Sequence, residues 1–339
     1  MAVASYLLLV LGVKPITHLA VAVGVMGLVG CATEPAPADY PEGLGTHESP
    51  IPGDASYAVV SRLHLSLALP AVDQALANLR AFSQNPAHDL LAGTAGTQLA
   101  AALPSALRAS LESWINLEVD KARIGTKTIR QYATDVAAIS QAVLGDFTIE
   151  SSLSIAPASA VHSFTNLNFT PVNLDIIVPI GGLTADALVQ KPKVEVGVGG
   201  ALSLGEQRFG LGLGAHAWQG INLASTTLYG GDLSVLASAV NCRTIAQTVA
   251  AKCASGSCVG HAPELTELCT SGVASLIDDL RTQIAPVNVE VMLFAHGRAR
   301  LVDDDVDGIA DRIVDGTWDA QTDLGSGFAA ATATFVAHD

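Results

Sequence analysis

The residues best suited to chemistry lie near the C-terminus, where Asp303, Asp304, Asp305, Asp307 and Asp311 crowd nine positions. Asp303, Asp305, Asp307, Gly308 and Asp311 follow the pattern D-x-D-x-D-G-x-x-D. Alternate carboxylates in a tight loop converge on one point, and a hard cation such as calcium takes six to eight oxygens at such a point. Gly308 permits the turn, the carbonyl of Ile309 adds a ligand, and Asp311 binds directly or through water. Without a cation the same carboxylates repel one another. The flanks, Arg298–Val302 and Arg312–Trp318, read as strands, so the loop is expected at the tip of a β-hairpin, with Asp315 as a spare oxygen donor.

This pattern resembles the calcium loops of thrombospondin type 3 and dockerin-like repeats. The resemblance covers Asp303, Asp305, Asp307, Gly308 and Asp311 and implies a structural calcium ion. The loop departs from an EF-hand, because its twelfth position is Val314 and the bidentate Glu is missing.

Four of the five cysteines form a second pattern. Cys253 follows Cys242 by eleven residues, and Cys269 follows Cys258 by eleven. Eleven residues is about three helical turns, so each pair occupies one face of its helix. In an antiparallel hairpin folded at Ala254–Ser257, this places Cys253 opposite Cys258 and Cys242 opposite Cys269. Nested disulfides 253–258 and 242–269 are expected; a four-cysteine zinc site is the competing arrangement, though tight C-x2-C pairs are missing.

The remaining cysteine, Cys31, closes an apolar run (Leu19–Gly30) with Leu28-Val29-Gly30-Cys31. That ending resembles the lipobox of bacterial lipoprotein precursors. The resemblance implies cleavage before Cys31, acylation of its thiol (palmitate among the chains), and anchorage on a membrane. Ala32, where Asp would favour retention in the inner membrane, implies the outer membrane. Residues 1–30 are then a signal peptide. Residues 31–55, rich in Pro, Gly and acids, read as a lipidated cysteine and flexible tether. Residues 56–339 read as a single α+β domain.

Positioning these groups falls to elements whose periods alternate along the chain. Residues 57–69 alternate as a strand, with Ser61, Leu63, Leu65, Leu67 and Leu69 on one face. Helical stripes follow at Val72, Leu76 and Leu79, and at Leu107, Leu111, Trp114, Ile115 and Val119. Thr128 with Gln131 forms a capping box before a third stripe, Tyr132, Val136, Ile139 and Val143. Period two returns at Phe147–Ile155, at Val172–Ile180 and at Phe209–His216, where glycine at alternate positions leaves one face bare and either bends the strand sharply or lets a helix approach closely. A helical hairpin spans about 232–284. Strands resume at Asn288–Ala295, with Val289, Val291, Leu293 and Ala295 opposite Met292 and Phe294, and the chain closes on a strand near Phe328–Ala337. Helical and strand blocks without strict β-α-β alternation predict an α+β fold. Its sheet is largely antiparallel and curved, with an N-terminal helical block and a disulfide-linked helical hairpin.

Composition narrows the function classes. Lys+Arg 17 against Asp+Glu 32 gives a net charge of −15, and no basic stretch offsets it, so nucleic acid is excluded as a partner. No G-x-S-x-G elbow, H-E-x-x-H or P-loop occurs, and Gly197–Gly200 precedes a strand, unlike a dinucleotide fingerprint. His64, His216 and His296 read as half-exposed strand residues, and Trp114, Trp218 and Trp318 as core. No catalytic constellation stands out. Two classes stay open: a lipid-anchored cell-envelope protein of structural or partner-binding type, and a carrier of a lipid or other apolar ligand. A hydrolase ranks third.

Overall fold

The stretches of period two become strands of one antiparallel sheet, and those of period 3.6 become helices packed against it. The computed structural model describes residues 51–52, 56–64, 69–92, 105–156, 159–182, 188–252, 262–323 and 328–338, all within a unit spanning Glu48–Asp339. Cys31, the run before it, Cys253 and Cys258 lie outside the described residues, as do Leu65 and Leu67.

Strand β1 (Ile51–Pro52) stands apart. β2 (Ser56–His64) follows, and its period-two pattern buries Tyr57, Val59, Ser61 and Leu63. Helices α1 (Pro70–Gln84), α2 (Pro86–Ala92) and α3 (Ser105–Val119) come next. Their stripes Val72, Leu76, Leu79, Leu111, Ile115 and Val119 are buried, as the spacing requires. A small hairpin, β3 (Arg123–Ile124) and β4 (Lys127–Thr128), leads into α4 (Ile129–Gly145). There the Thr128 hydroxyl accepts the Gln131 backbone N–H at 3.1 Å, and the Gln131 side chain accepts the Thr128 N–H at 3.0 Å. This reciprocal pair satisfies two of the N–H groups a helix start leaves open.

α4 runs straight into β5 (Asp146–Ala156), which pairs with β6 (Ser159–Phe169). β7 (Ile176–Pro179) is shorter than the expected 172–180 strand. Val172 and Asn173 have φ of 48° and 63° and form a tight corner, leaving Val172 exposed. Then come β8 (Val189–Gln190), β9 (Val194–Val196), β10 (Ala201–Leu204) and β11 (Gln207–Leu211). The expected strand 209–216 also ends early: α5 (Leu213–Tyr229) starts at Leu213, and His216 is a buried helical residue rather than a half-exposed strand residue. Glycine serves close approach here, but on the helix. A Cβ on Gly214 would lie 1.9 Å from the Ile284 carbonyl oxygen.

α6 (Val235–Ala239), α7 (Cys242–Lys252) and α8 (Ala262–Ile284) form the expected helical region, and Cys242 is bonded to Cys269 across α7 and α8. The fold closes with β12 (Val289–Val302), β13 (Ile309–Ala310), β14 (Arg312–Asp323) and β15 (Phe328–His338).

The main sheet runs β7-β6-β5-β2-β15-β14-β12-β10-β9, with β11 also on β12 and β8 also on β6. Residues 188–196 join its two ends. The N–H groups of Ala160 and Phe164 in β6 donate to the carbonyls of Pro192 and Leu188, while Val194–Val196 pairs with β10. The sheet therefore curls on itself as a barrel. Side chains from strands far apart in its order meet inside: Phe164 of β6 packs on Phe209 of β11 (4.3 Å between ring centroids) and on Phe294 of β12 (6.3 Å). Phe294 stacks on Trp318 of β14 at 5.3 Å, and Trp318 lies 4.8 Å from Phe335 of β15.

Two bulges in β12 build this interior. Between Val289 and Met292, two β12 residues oppose one of β11. The extra residue reverses the side-chain parity, so Met292 and Phe294 are buried together with Val289. A second bulge at His296 (φ 46°) turns Gly297 inward beneath Trp318, where a Cβ would sit 2.2 Å from the indole ring.

Candidate functional site

The acidic loop is where the sequence places it, between β12 and β14, and the N–H of Asp311 donates to the carbonyl of Val302 (2.9 Å) to close its base. Inside the loop, backbone donors organise the carboxylates. Asp303 accepts from Val306 (2.7 Å), Asp307 (3.2 Å) and Gly308 (2.7 Å). Asp305 accepts from Asp307 at 3.2 Å, and Asp311 from Asp304 at 2.7 Å. Wrapping the chain this tightly requires left-handed backbone at Val306 (φ 62°) and Gly308 (φ 89°), and glycine takes that conformation without strain.

The result is that oxygens of Asp303, Asp305 and Asp311 lie within 4.8 Å of one another. Ligands about 2.4 Å from a calcium ion stand at most about 4.8 Å apart, so the spacing fits that cation. The hydrogen bonds do not exhaust the oxygens, because each carboxylate offers roughly four lone-pair sites. Three of the five expected ligands therefore converge. Asp307 stays outside this group, and its Oδ1 accepts the Ile309 N–H at 2.7 Å. Ile309 itself pairs with Ile51. Asp315, the spare donor, instead faces Arg300 at 3.2 Å, and Asp304 is held by both nitrogens of the Arg312 fork, at 2.5 and 2.6 Å.

Electrostatics within the loop divide its carboxylates. For Asp303, lost hydration acts upward, but the N–H groups of Gly308, Val306 and Asp307 together outweigh it and hold the carboxyl below its ordinary range. Asp305 is pushed the other way. The single N–H of Asp307 favours its ionised form, but lost hydration, the charges of Asp307 and Asp311 and the adjoining Asp303 carboxylate together outweigh it. The ionised form of Asp305 is thus the disfavoured one, in a loop where a cation would relieve the repulsion.

The loop also receives the segment that precedes the barrel. Ile51 and Pro52 pair in parallel with Ile309 and Ala310, and the buried Tyr57 hydroxyl donates to the Ala310 carbonyl at 2.8 Å. Structure therefore begins before residue 56, with Ile51 and Pro52 of the expected tether part of it.

A second polar group was hidden from sequence reading. In the barrel interior, the Ser151 hydroxyl of β5 meets His162 Nε2 of β6 at 2.7 Å, and His162 Nδ1 meets Gln207 Oε1 of β11 at 2.6 Å. An amide oxygen only accepts, so Nδ1 carries the proton and Nε2 accepts from serine. Burial pushes the imidazole down to about 4, against a smaller upward pull from Gln207, so it is neutral at pH 7. The hydrogen-bond order is that of a serine nucleophile and its base, with an amide in place of the acid. Ser151 is 6% exposed and His162 0%, so no substrate reaches the hydroxyl. No short motif links the three, and only the alternating pattern at 147–155 put Ser151 near a buried face.

Of the other expected groups, Cys242 and Cys269 are buried and bonded, which removes two of the thiolates a four-cysteine zinc site needs. His64 and His296 are exposed on strands, and His296 lies 3.2 Å from Asp319. Trp318 is core, whereas Trp114 and Trp218 are half-buried. An open groove of about 750 Å³ runs between α7 and α8, past Arg243, Gln247, Thr266 and Glu267.

Comparison of the chain with protein-family models, curated proteins and solved structures finds no match. No described helix is long and apolar enough to cross a membrane.

Proposed function

We propose that the chain is a lipid-anchored cell-envelope protein of structural or partner-binding type, whose C-terminal hairpin is stabilised by calcium. The observation that carries the calcium reading is the convergence of Asp303, Asp305 and Asp311 at the tip of the β12–β14 hairpin. Calcium there neutralises three carboxylates that otherwise repel, and it stiffens the loop on which Ile51 and Pro52 are paired. The role is structural, because the loop binds its ion with its own backbone and side chains. Anchorage rests on Leu28-Val29-Gly30-Cys31, with the outer membrane as the expected location. The Cys242–Cys269 bond supports export to an oxidising compartment.

The carrier reading draws less support. The barrel interior between β6, β11, β12, β14 and β15 is packed with Phe164, Phe209, Phe294, Trp318 and Phe335. A hydrolase draws less still, since Ser151 and His162 are enclosed.

Two measurements test the proposal. The melting temperature of residues 48–339 should rise by several degrees in millimolar calcium relative to EGTA, and the rise should vanish in Asp303→Asn. An equal melting temperature in both buffers would overturn the calcium reading. Full-length chain expressed in a bacterium fed labelled palmitate should carry label, and Cys31→Ser should not; label that persists in the variant rejects the anchor.

A further inference from the structure

We propose that His162 is an acid-released latch on the seam that closes the barrel. The seam is the segment 188–196, which bridges β6 and β10. Among the described strands it is the thinnest junction of the sheet: β8 contributes two register pairs to β6, with one further bridge from Lys193 to Ser159, and β9 three to β10, against ten between β14 and β15. Local opening follows the fewest and shortest pairings, so this seam is where the barrel opens first.

His162 spans that junction from within. It lies on β6, opposite Gln190 of β8, and reaches Gln207 on β11, the strand across the seam; its other nitrogen holds Ser151 on β5. The hydrogen bonds need no particular charge state: a protonated ring could donate to both Gln207 Oε1 and Ser151 Oγ. What opposes protonation is the surroundings. β5 presents Ser151 and Leu153, β6 presents Phe164, β8 is met at Gln190, β11 presents Gln207, and β14 presents Trp318 with its ring 6.4 Å away and nearly parallel. No charged or titratable side chain on these elements faces the imidazole; Glu150, Arg208 and Asp319 occupy outward positions of these strands, and Lys191 and Lys193, which follow β8, are exposed. An imidazolium formed inside therefore has no counter-charge. It gains hydration only if the seam parts, so acid favours the parted state.

The size follows from linkage. With the ring at about 4 when enclosed and 6.5 when hydrated, lowering the pH from 7 to 5 multiplies the opening equilibrium by ~20.

The test is amide hydrogen exchange of the folded protein at pH 7 and pH 5, corrected for intrinsic rates, in the wild type and in His162→Gln. Glutamine keeps a hydrogen-bonding side chain and cannot be protonated. Wild-type amides at 159–164 and 188–196 should lose about 20-fold in protection while those of β14 and β15 hold, and His162→Gln should show no such difference. Equal loss in both proteins, or loss spread evenly over the barrel, would overturn the proposal. If His162→Gln does not fold, the ring ¹⁵N titration of wild-type His162 decides. A midpoint near 4 to 5 coinciding with seam exchange supports the latch, and protonation without seam exchange rejects it. Every protein compared carries the same acidic loop, so its titration cancels.

Discussion

The two polar regions of this barrel are built on opposite plans. In the acidic loop the contacts that arrange the carboxylates are local. Asp303, Asp305 and Asp311 lie within nine residues, their donors are the backbone N–H groups between them, and Asp305 is exposed while Asp303 and Asp311 are half-buried. In the interior, Ser151, His162 and Gln207 come from three strands, their rings and amides are dry, and their neighbours are aromatic. An exposed carboxylate cluster is limited by its own repulsion and a cation relieves it; a buried imidazole is limited by desolvation and only opening relieves it. The first region is therefore expected to respond to calcium and hardly to packing. The second should respond to packing and to acid.

The largest test strikes the aromatic interior. Trp318 stacks on Phe294 and packs against Phe335, and its indole covers Gly297. Trp318→Ala should cost about 3–5 kcal/mol in denaturant unfolding, the range for emptying a large aromatic site. Asp307→Ala, in the loop, should cost far less under calcium-free conditions. Comparable losses would erase the distinction between the regions.

Acid comes next. The His162 pKa is lowered on folding, so the unfolded chain binds more protons between about 4 and 6.5, and stability falls as pH drops through that window. A drop of about 2.5 pH units in pKa is worth ~3 kcal/mol at its limit. Asp303 contributes the usual carboxylate case. Its pKa is lowered, so its contribution is present above the unfolded value and fades only as pH falls below the ordinary carboxylate range. Asp305, raised, works the other way: protonation relieves repulsion in the folded loop. Denaturation at pH 7, 6 and 5 should therefore show a loss that disappears in His162→Gln. A loss that follows Asp303→Asn instead would move the acid response to the loop.

What could be read from the sequence follows the same division. The capping box at Thr128 and Gln131, the stripes of α1 and α4, the Cys242–Cys269 bond and the loop at Asp303–Asp311 all depend on spacing within a few turns, and spacing is what a sequence displays. Leu213–His216 misled because alternate glycines imitate a strand, whereas Gly214 is needed for the contact of α5 with the end of α8. β12 misled because a bulge exchanges its faces, and nothing in Val289–Phe294 marks the extra residue. The Ser151–His162–Gln207 cluster was out of reach for a different reason. Its partners are set by how the strands pair and by the closure of the barrel through residues 188–196, neither of which is a local property.

The smallest expected effect is also the most discriminating, because its sign changes with calcium. Asp305 is the loop carboxylate whose ionised form is disfavoured, with Asp303, Asp307 and Asp311 close by and one backbone donor in compensation. Asp305→Asn keeps the side chain's shape and its acceptor oxygen while removing one negative charge. Without calcium the variant should melt slightly above the wild type, since repulsion is relieved and the Asp307 N–H keeps its partner. With calcium the order should invert, because the ion loses a charged ligand while the wild type gains its full stabilisation. A solvated acidic turn with no cation role would show the first effect and not the second. Melting both proteins in EGTA and in millimolar calcium therefore separates a turn that merely tolerates its charges from a loop shaped around an ion.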